Sequence, residues 1–261
     1  MGTVTKALDL LDLFTRQRPQ IGLSDAARLS GMNKATCYRL LTELAEFGLV
    51  EQLGATRDYR LGPAVLRLAA LREATVPMRD AALPALQALA LATGETAHLS
   101  VLSGGRLSTL AFAYSPEHGM KVMMEDADTL PYHATSSGHA VLAYMPEAER
   151  ELILSRPLPA LTDGTPTDAH ALRRALDHIR SAGLAEVSGT YERDVQSMAV
   201  PLFDATGAVV GALAVAAPVQ RMTPDLRARI ARHLTRSATE IITLWGGSPP
   251  PDLTQIWRAV A

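Results

Sequence analysis

One stretch constrains this chain more than any other: Ser24 to Phe47 reads as two short helices joined by a tight turn. Ser24 is suited to cap the first helix, and Gly31 to supply the left-handed residue that ends it. Asn33 then caps a second helix, in which Cys37, Leu40, Leu41 and Leu44 recur at helical spacing and define a buried side. Lys34, Ala35, Tyr38, Arg39 and Thr42 face outward, with Thr36 near the exposed N-terminal end. Two short helices around a Gly-containing turn form a helix-turn-helix. A cation, a hydroxyl and a phenol at the start of the second helix suit the reading of a major groove. A helical hairpin with a merely solvated face would present the same pattern.

The flanks extend this unit. Val4, Ala7, Leu8, Leu11 and Phe14 share one face, predicting a first helix over Val4 to Phe14 that covers the pair; Arg16 to Gly22 reads as a loop. Gly48 ends the second helix. Leu49 to Leu53 and Asp58 to Leu61 then read as two short strands around a turn, so three helices are followed by a hairpin wing. Arg57 stands at the wing tip, placed for a phosphate or minor-groove contact, or equally for a solvated turn. Charge gives little help: the chain carries −2 overall, +1 through Gly62 and −3 beyond it.

Beyond Gly62 and Pro63, residues 64 to 75 (Val65, Leu66, Leu68, Ala69, Leu71) are apolar over too wide an arc for a free linker and predict a helix packed on a partner. Val76-Pro77 marks a boundary, and Arg79 to Thr93 predicts an amphipathic helix opening a larger domain. Short β-prone runs follow at Thr96 to Leu102, Leu107 to Tyr114 and Lys121 to Met124. Helices are expected at Ser136 to Tyr144, Glu147 to Ser155 and Asp168 to Ala182, the last capped by Asp168 and closed by Gly183. Gln196 to Phe203 and Ala208 to Ala216 form a hairpin about Asp204 to Gly207. Asp225 to Trp245 is a final helix, and Gly246 to Pro251 opens a mobile tail. Mixed strand and helical runs of this kind give an α+β domain.

Candidate chemistry is sparse. Leu130 to Ala140 is a loop running into a helix whose free backbone N–H groups could hold a small carboxylate; the same residues could simply be a Thr/Ser cap. Ser136 and Ser137 lie near His133 and His139, yet no nucleophile elbow is present and no Asp stands out as an orienter, so no catalytic residue is assigned. His98, His133 and His139 lack metal-ligand spacing, and neither a phosphate loop nor a dinucleotide fingerprint is present, so no metal or cofactor is expected. The single cysteine, Cys37, excludes an internal disulfide. No signal-peptide pattern opens the chain and no apolar run of 18 residues occurs, so a cytoplasmic protein without membrane contact is expected.

Leu23 to Leu41, followed by Tyr59-Arg60-Leu61-Gly62, resembles the IclR family of bacterial transcriptional regulators. Pro131 to Gly138, Ala199 to Phe203 and Val209 to Leu213 resemble its effector domain, and the pieces occur in the expected order from Val4 to about Trp245. The resemblance implies an α+β protein: an N-terminal winged helix-turn-helix (1–62), a linker helix (63–76), a GAF-like effector and oligomerisation domain (77–246) and a C-terminal tail (247–261). It further implies homodimers, often paired into tetramers, on pseudo-palindromic double-stranded DNA operators, and a small organic acid as effector. The DNA-binding positions are then Ser24, Asn33, Lys34, Thr36, Tyr38, Arg39, Arg57 and Arg60. The effector positions are Ser136 and Ser137, whose amides face a carboxylate, with Val187, Val195, Ser197, Ala214 and Ala216, and Val122 and Leu130 as apolar wall.

The chain departs from the family at several positions. His139 stands where Lys or Arg is common, Ala35 where Ser is common, and Thr190 where an acidic residue is usual. Some members carry Asp, Cys and two Ser where this chain has Val187, Ser197, Ala214 and Ala216. Loss of three polar pocket side chains points to a less polar ligand than a two-carbon acid such as glyoxylate, because unpaired polar groups are costly to bury. The rival expectation is a small-molecule or metal sensor, or an enzyme, whose winged helix mediates protein contacts. Salt-dependent DNA binding separates the two.

Overall fold

The computed structural model describes residues 2–15, 18–75, 78–124 and 129–260. It divides into two compact units, residues 1–77 and 78–261. The boundary expected at Val76-Pro77 lies outside the described residues.

The first unit runs α1 (Thr3–Leu11), β1 (Gln20–Ile21), α2 (Leu23–Ser30), α3 (Lys34–Glu46), β2 (Val50–Gln52), β3 (Tyr59–Leu61) and α4 (Pro63–Thr75). Its antiparallel sheet has the order β1-β3-β2. Leu10 of α1, Ala26 and Ala27 of α2, and Cys37, Leu40, Leu41 and Leu44 of α3 close over Ile21, Val50 and Tyr59 as one core. The loop expected before α2 therefore contributes a strand, β1, whose two residues pair with Tyr59 and Arg60. The first helix stops at Leu11, short of Phe14, although Phe14 still packs on the core. Ser24 is not the cap of α2. Gly22 holds that place with extended backbone, and its carbonyl accepts from Ala26 N at 2.9 Å, which leaves Ser24 inside the first turn. The wing folds back tightly: a Cβ on Gly62 would lie 2.3 Å from the Gly48 carbonyl oxygen.

The second unit runs α5 (Met78–Thr93), β4 (Thr96–Ser103), β5 (Arg106–Ala113), α6 (Ser136–Tyr144), α7 (Glu147–Leu154), α8 (Ala169–Ala182), β6 (Ala185–Ser188), β7 (Val195–Phe203), β8 (Val209–Pro218), a 3-10 turn (Val219–Arg221), α9 (Pro224–Leu244) and α10 (Pro251–Val260). Its five strands form an antiparallel sheet in the order β5-β4-β8-β7-β6. From Gly211 to Pro218, β8 is buried without interruption, so both faces of the sheet are covered. α6 packs with α8 over β7 and β8, while α5 and α9 pack on each other and on the sheet. This is the α+β, GAF-like arrangement expected. Pro201 is tolerated inside β7 because β6 ends opposite Ala199, leaving that edge without a neighbour at residue 201.

Two expectations fail here. Lys121 to Met124 is not a strand: the segment is held instead by side chains. Thr96 Oγ1 donates to Val122 O (2.9 Å), Tyr114 Oη bonds Met124 N (3.0 Å) and O (3.3 Å), and Arg221 donates to Met120 O (3.1 Å). Residues 251–260 are not a loose tail either. Pro251 opens α10, which buries Leu253 and Trp257 against α8 and α9, and Trp257 Nε1 donates to the carbonyl of Gly183 at 2.8 Å.

Candidate functional sites: a winged helix-turn-helix surface and a cavity over the sheet

In the first unit the turn is built as its residues dictate. Gly31 ends α2 at φ 68°, where glycine alone is unstrained, and Asn33 Oδ1 accepts from Thr36 N at 2.8 Å to start α3. With Cys37, Leu40, Leu41 and Leu44 buried, Lys34, Ala35, Tyr38 and Arg39 are exposed; Thr36 and Thr42 are half-buried, and Thr42 Oγ1 donates to Tyr38 O. Arg39 pairs with Glu43 one turn on (2.8 Å), and Arg60 of β3 with Glu51 of β2 (2.5 Å). Both pairs are solvent-exposed and so worth little, which leaves the guanidinium groups available to phosphate or base edges. Arg57 adopts φ 60° at the wing, anchored by its amide to Leu53 O (2.9 Å) and by Gln52 Nε2 on its carbonyl (2.8 Å). A shallow groove of about 360 Å³ brings Ser24, Tyr38 and Arg57 together between the start of α2, α3 and the wing. Asn33, Lys34, Thr36, Arg39 and Arg60 lie outside its lining.

In the second unit, a cavity of about 200 Å³ opens over the sheet face that carries His98, Ser197 and Ala216. Val122, Met123, Met124, Leu130, Ala134, Val187, Val195 and Ala216 provide apolar wall; Thr135, Ser136, Thr190 and Ser197 provide hydroxyls; Tyr191 and Glu192 sit at an exposed edge. The start of α6 forms one end. Thr135 caps it, its Oγ1 accepting from Gly138 N (3.0 Å) and its carbonyl from His139 N (2.9 Å). Helix geometry gives the amides of Ser136 and Ser137 no intrahelical acceptor, and both residues are buried from water. The loop before α6 can lie this close because residue 138 is glycine: a Cβ there would stand 2.4 Å from Tyr132 O. Thr190 Oγ1 donates to Ala134 O at 2.6 Å and ties the far wall to the same loop.

Of the positions expected around a ligand, Val122, Leu130, Ser136, Val187, Val195, Ser197 and Ala216 line this cavity. Ser137 lies behind the wall, with Oγ 3.3 Å from His98 Nε2, and Ala214 is buried outside the lining. Ala134 and Thr135, from the expected anion loop, line it too, and His98, Met123, Met124, Thr190, Tyr191 and Glu192 line it without having been expected at a ligand. His98 sits on β4 opposite Ala214, is 6% exposed, and is held neutral by burial, which lowers its pKa to about 4. His139 is also shifted down by burial and bonds His133 O through Nε2 (2.8 Å), while His133 bonds Pro159 O (2.9 Å). The three histidines thus have separate partners, and among the described residues no cluster of three His, Cys, Asp or Glu is arranged to hold a metal ion.

A winged helix-turn-helix unit followed by an α+β unit with a small cavity defines the class of two-domain helix-turn-helix proteins. The particular family follows from comparison. The profile described as IclR helix-turn-helix domain matches residues 3–54, and that described as Bacterial transcriptional regulator IclR C-terminal matches residues 72–243. The chain belongs to the IclR family of bacterial transcriptional regulators. It is 52% identical to a solved chain from Silicibacter sp. TM1040 classed with the IclR regulators, covering 97% of this chain and 99% of that one, with a TM-score of 0.89. The glycerol operon regulatory protein of Streptomyces griseus is 33% identical over 224 residues, 85% of this chain and 87% of that protein. An IclR homolog from Microbacterium hydrocarbonoxydans, solved in complex with 4-hydroxybenzoate, is 28% identical over 94% of this chain and 99% of its own, with a TM-score of 0.59. No described helix is long and apolar enough to cross a membrane.

Proposed function

We propose that this protein is a ligand-responsive, sequence-specific DNA-binding regulator whose effector is a small carboxylate with an apolar or aromatic body. Lys34, Thr36, Tyr38 and Arg39 enter the major groove, Ser24 and Asn33 approach the backbone at the two helix starts, and Arg57 and Arg60 of the wing contact phosphates. Two copies bind a pseudo-palindromic operator, and dimers pair into tetramers. The exposed Leu66 and Leu68 of α4 support self-association, since such side chains in water favour a partner. Residues 1–62 act as the DNA-binding head, 63–76 as the linker helix and 77–246 as the effector domain. The effector acts by binding the DNA-competent and incompetent states with different affinity, and α4 is the segment that carries the difference. The protein works on cytoplasmic DNA.

The observation that carries the ligand class is the cavity of about 200 Å³ with Ser136 of the first turn of α6 at one end and Val122, Leu130, Val187, Val195 and Ala216 among its apolar wall. An enclosed space of ~150 Å³ accommodates benzene, so this one suits a single ring or short branched chain bearing a carboxylate. The amides and dipole of α6 favour an anion, and the apolar side chains of the wall favour an apolar body beside it. The bound 4-hydroxybenzoate of the Microbacterium homolog is a ligand of the same general kind. Calorimetric titration of the full chain should give micromolar binding for at least one aromatic or branched aliphatic acid and none for glyoxylate or pyruvate. The opposite ranking would overturn the assignment.

A further inference from the structure

Leaving a nitrogen of a buried imidazole without a partner is costly, and natural structures rarely do so without a reason. His98 Nδ1 is such an atom: buried, on a side chain that lines the cavity, and without a hydrogen-bond partner. The other ring nitrogen, Nε2, is 3.3 Å from Ser137 Oγ. That contact places the imidazole beside the first turn of α6, the same turn whose Ser136 and Ser137 amides lack intrahelical acceptors. When the Ser137 hydroxyl donates to Nε2, the ring proton resides on Nδ1 and can be given to whatever occupies the cavity. Among the described residues that line the cavity His98 is the one imidazole; the other side-chain donors there are hydroxyls, of which Thr190 Oγ1 is taken by Ala134 O.

We propose that His98 is the side-chain donor of the anion site: Nδ1–H hydrogen-bonds one carboxylate oxygen of the effector while the α6 amides hold the other. This rests on the reading of the cavity as a carboxylate pocket. It predicts that residue 98 supplies a share of the selectivity for a carboxylate over its uncharged amide, beside the share of the α6 amides. Thr135 Oγ1 is already committed to Gly138 N and to Pro131 O (2.9 Å), so it cannot substitute. Ser137 acts through His98 as a positioning residue, since its hydroxyl selects which nitrogen carries the proton.

The experiment uses the full chain and two acid–amide pairs, benzoate with benzamide and butyrate with butyramide, titrated calorimetrically into wild type, His98→Phe and His98→Asn. His98→Phe keeps a planar ring and removes the donor; His98→Asn places an amide group near the position of Nδ1. The wild type should prefer at least one acid over its amide, and His98→Phe should reduce that preference on the order of tenfold, with a smaller change for the amide itself. His98→Asn should recover part of it. Circular dichroism melts confirm that each variant is folded. If His98→Phe weakens acid and amide equally, or leaves the preference intact, residue 98 shapes the wall only and the proposal falls while the pocket stands. If neither acid binds the wild type, the carboxylate reading falls and this proposal with it.

Discussion

Arg221 is the structural staple of the cavity wall, and its removal should cost more than the removal of its partner. Its guanidinium meets Glu95 in a bidentate pair, Nε to Oε1 at 2.6 Å and an Nη to Oε2 at 2.7 Å, and the same Nη donates to Met120 O at 3.1 Å. The Glu95 side chain is 2% exposed and Arg221 22%. Changing Arg221 to Met leaves a carboxylate buried with only the His118 imidazole near, at 4.0 Å. Breaking a buried pair in this way costs about 3–5 kcal/mol. For a unit of this size that lowers the melting midpoint by on the order of 10 °C. Glu95→Gln should cost distinctly less, because Arg221 is near enough to the surface to recover water. The double change should cost well below the sum of the two, since neither charge is then left stranded. Thermal melts followed by circular dichroism give all three values. Because Met120 precedes the wall residues Val122 to Met124, effector affinity should fall with Arg221→Met as well. A midpoint within 2 °C of wild type, or a Glu95→Gln loss larger than that of Arg221→Met, would refute the reasoning.

Three further outcomes are expected. Gly138→Ala puts a methyl against the backbone of Tyr132, so it should cost about 1–3 kcal/mol and abolish effector binding, read by melting and calorimetry on the same sample. His98 is held near 4 in the fold against 6.5 in the unfolded chain, so the unfolded state takes the proton first as pH drops. Stability of the ligand-free protein should therefore fall between pH 6.5 and about 4, by up to about 3 kcal/mol from this residue, and His98→Phe should flatten that slope; His139 contributes in the same sense and remains. Trp257→Ala should destabilise by about 3–5 kcal/mol in urea melts, whereas a change below 0.5 kcal/mol would mean that α10 does not hold the fold.

Local signals were readable in the chain, and long-range ones were not. Gly31 ends α2 through its left-handed backbone, while Asn33 starts α3, Thr135 starts α6 and Asp168 with Gly183 brackets α8, each of these four through bonds to residues within a turn of itself. Ser24 misled because a hydroxyl residue two places inside the helix looks like its cap, while Gly22 caps with backbone alone. β1 and β6 are two and four residues long, and their partners lie far along the chain (Tyr59 and Arg60 for β1) or across a loop (Gln196 to Ala199 for β6), so no periodicity marks them. Gly246 to Pro251 reads as the opening of a mobile tail, yet Pro251 supplies the preset φ that opens α10. Most of the cavity wall was legible only by family resemblance. His98 escaped because a lone histidine in a β-prone run gives no sign of its function until β8 and α6 are placed around it.

The central claim, that the winged helix reads DNA under control of the cavity, is tested most directly by fluorescence anisotropy. The probe is DNA from immediately upstream of this protein's own gene, titrated at two salt concentrations with wild type and Arg39→Ala, with and without the acid that binds the cavity. The account predicts salt-sensitive, specific binding that the acid shifts and that Arg39→Ala weakens by ~1–3 kcal/mol. Binding no tighter than to random DNA, at either salt concentration and with or without the acid, would contradict it.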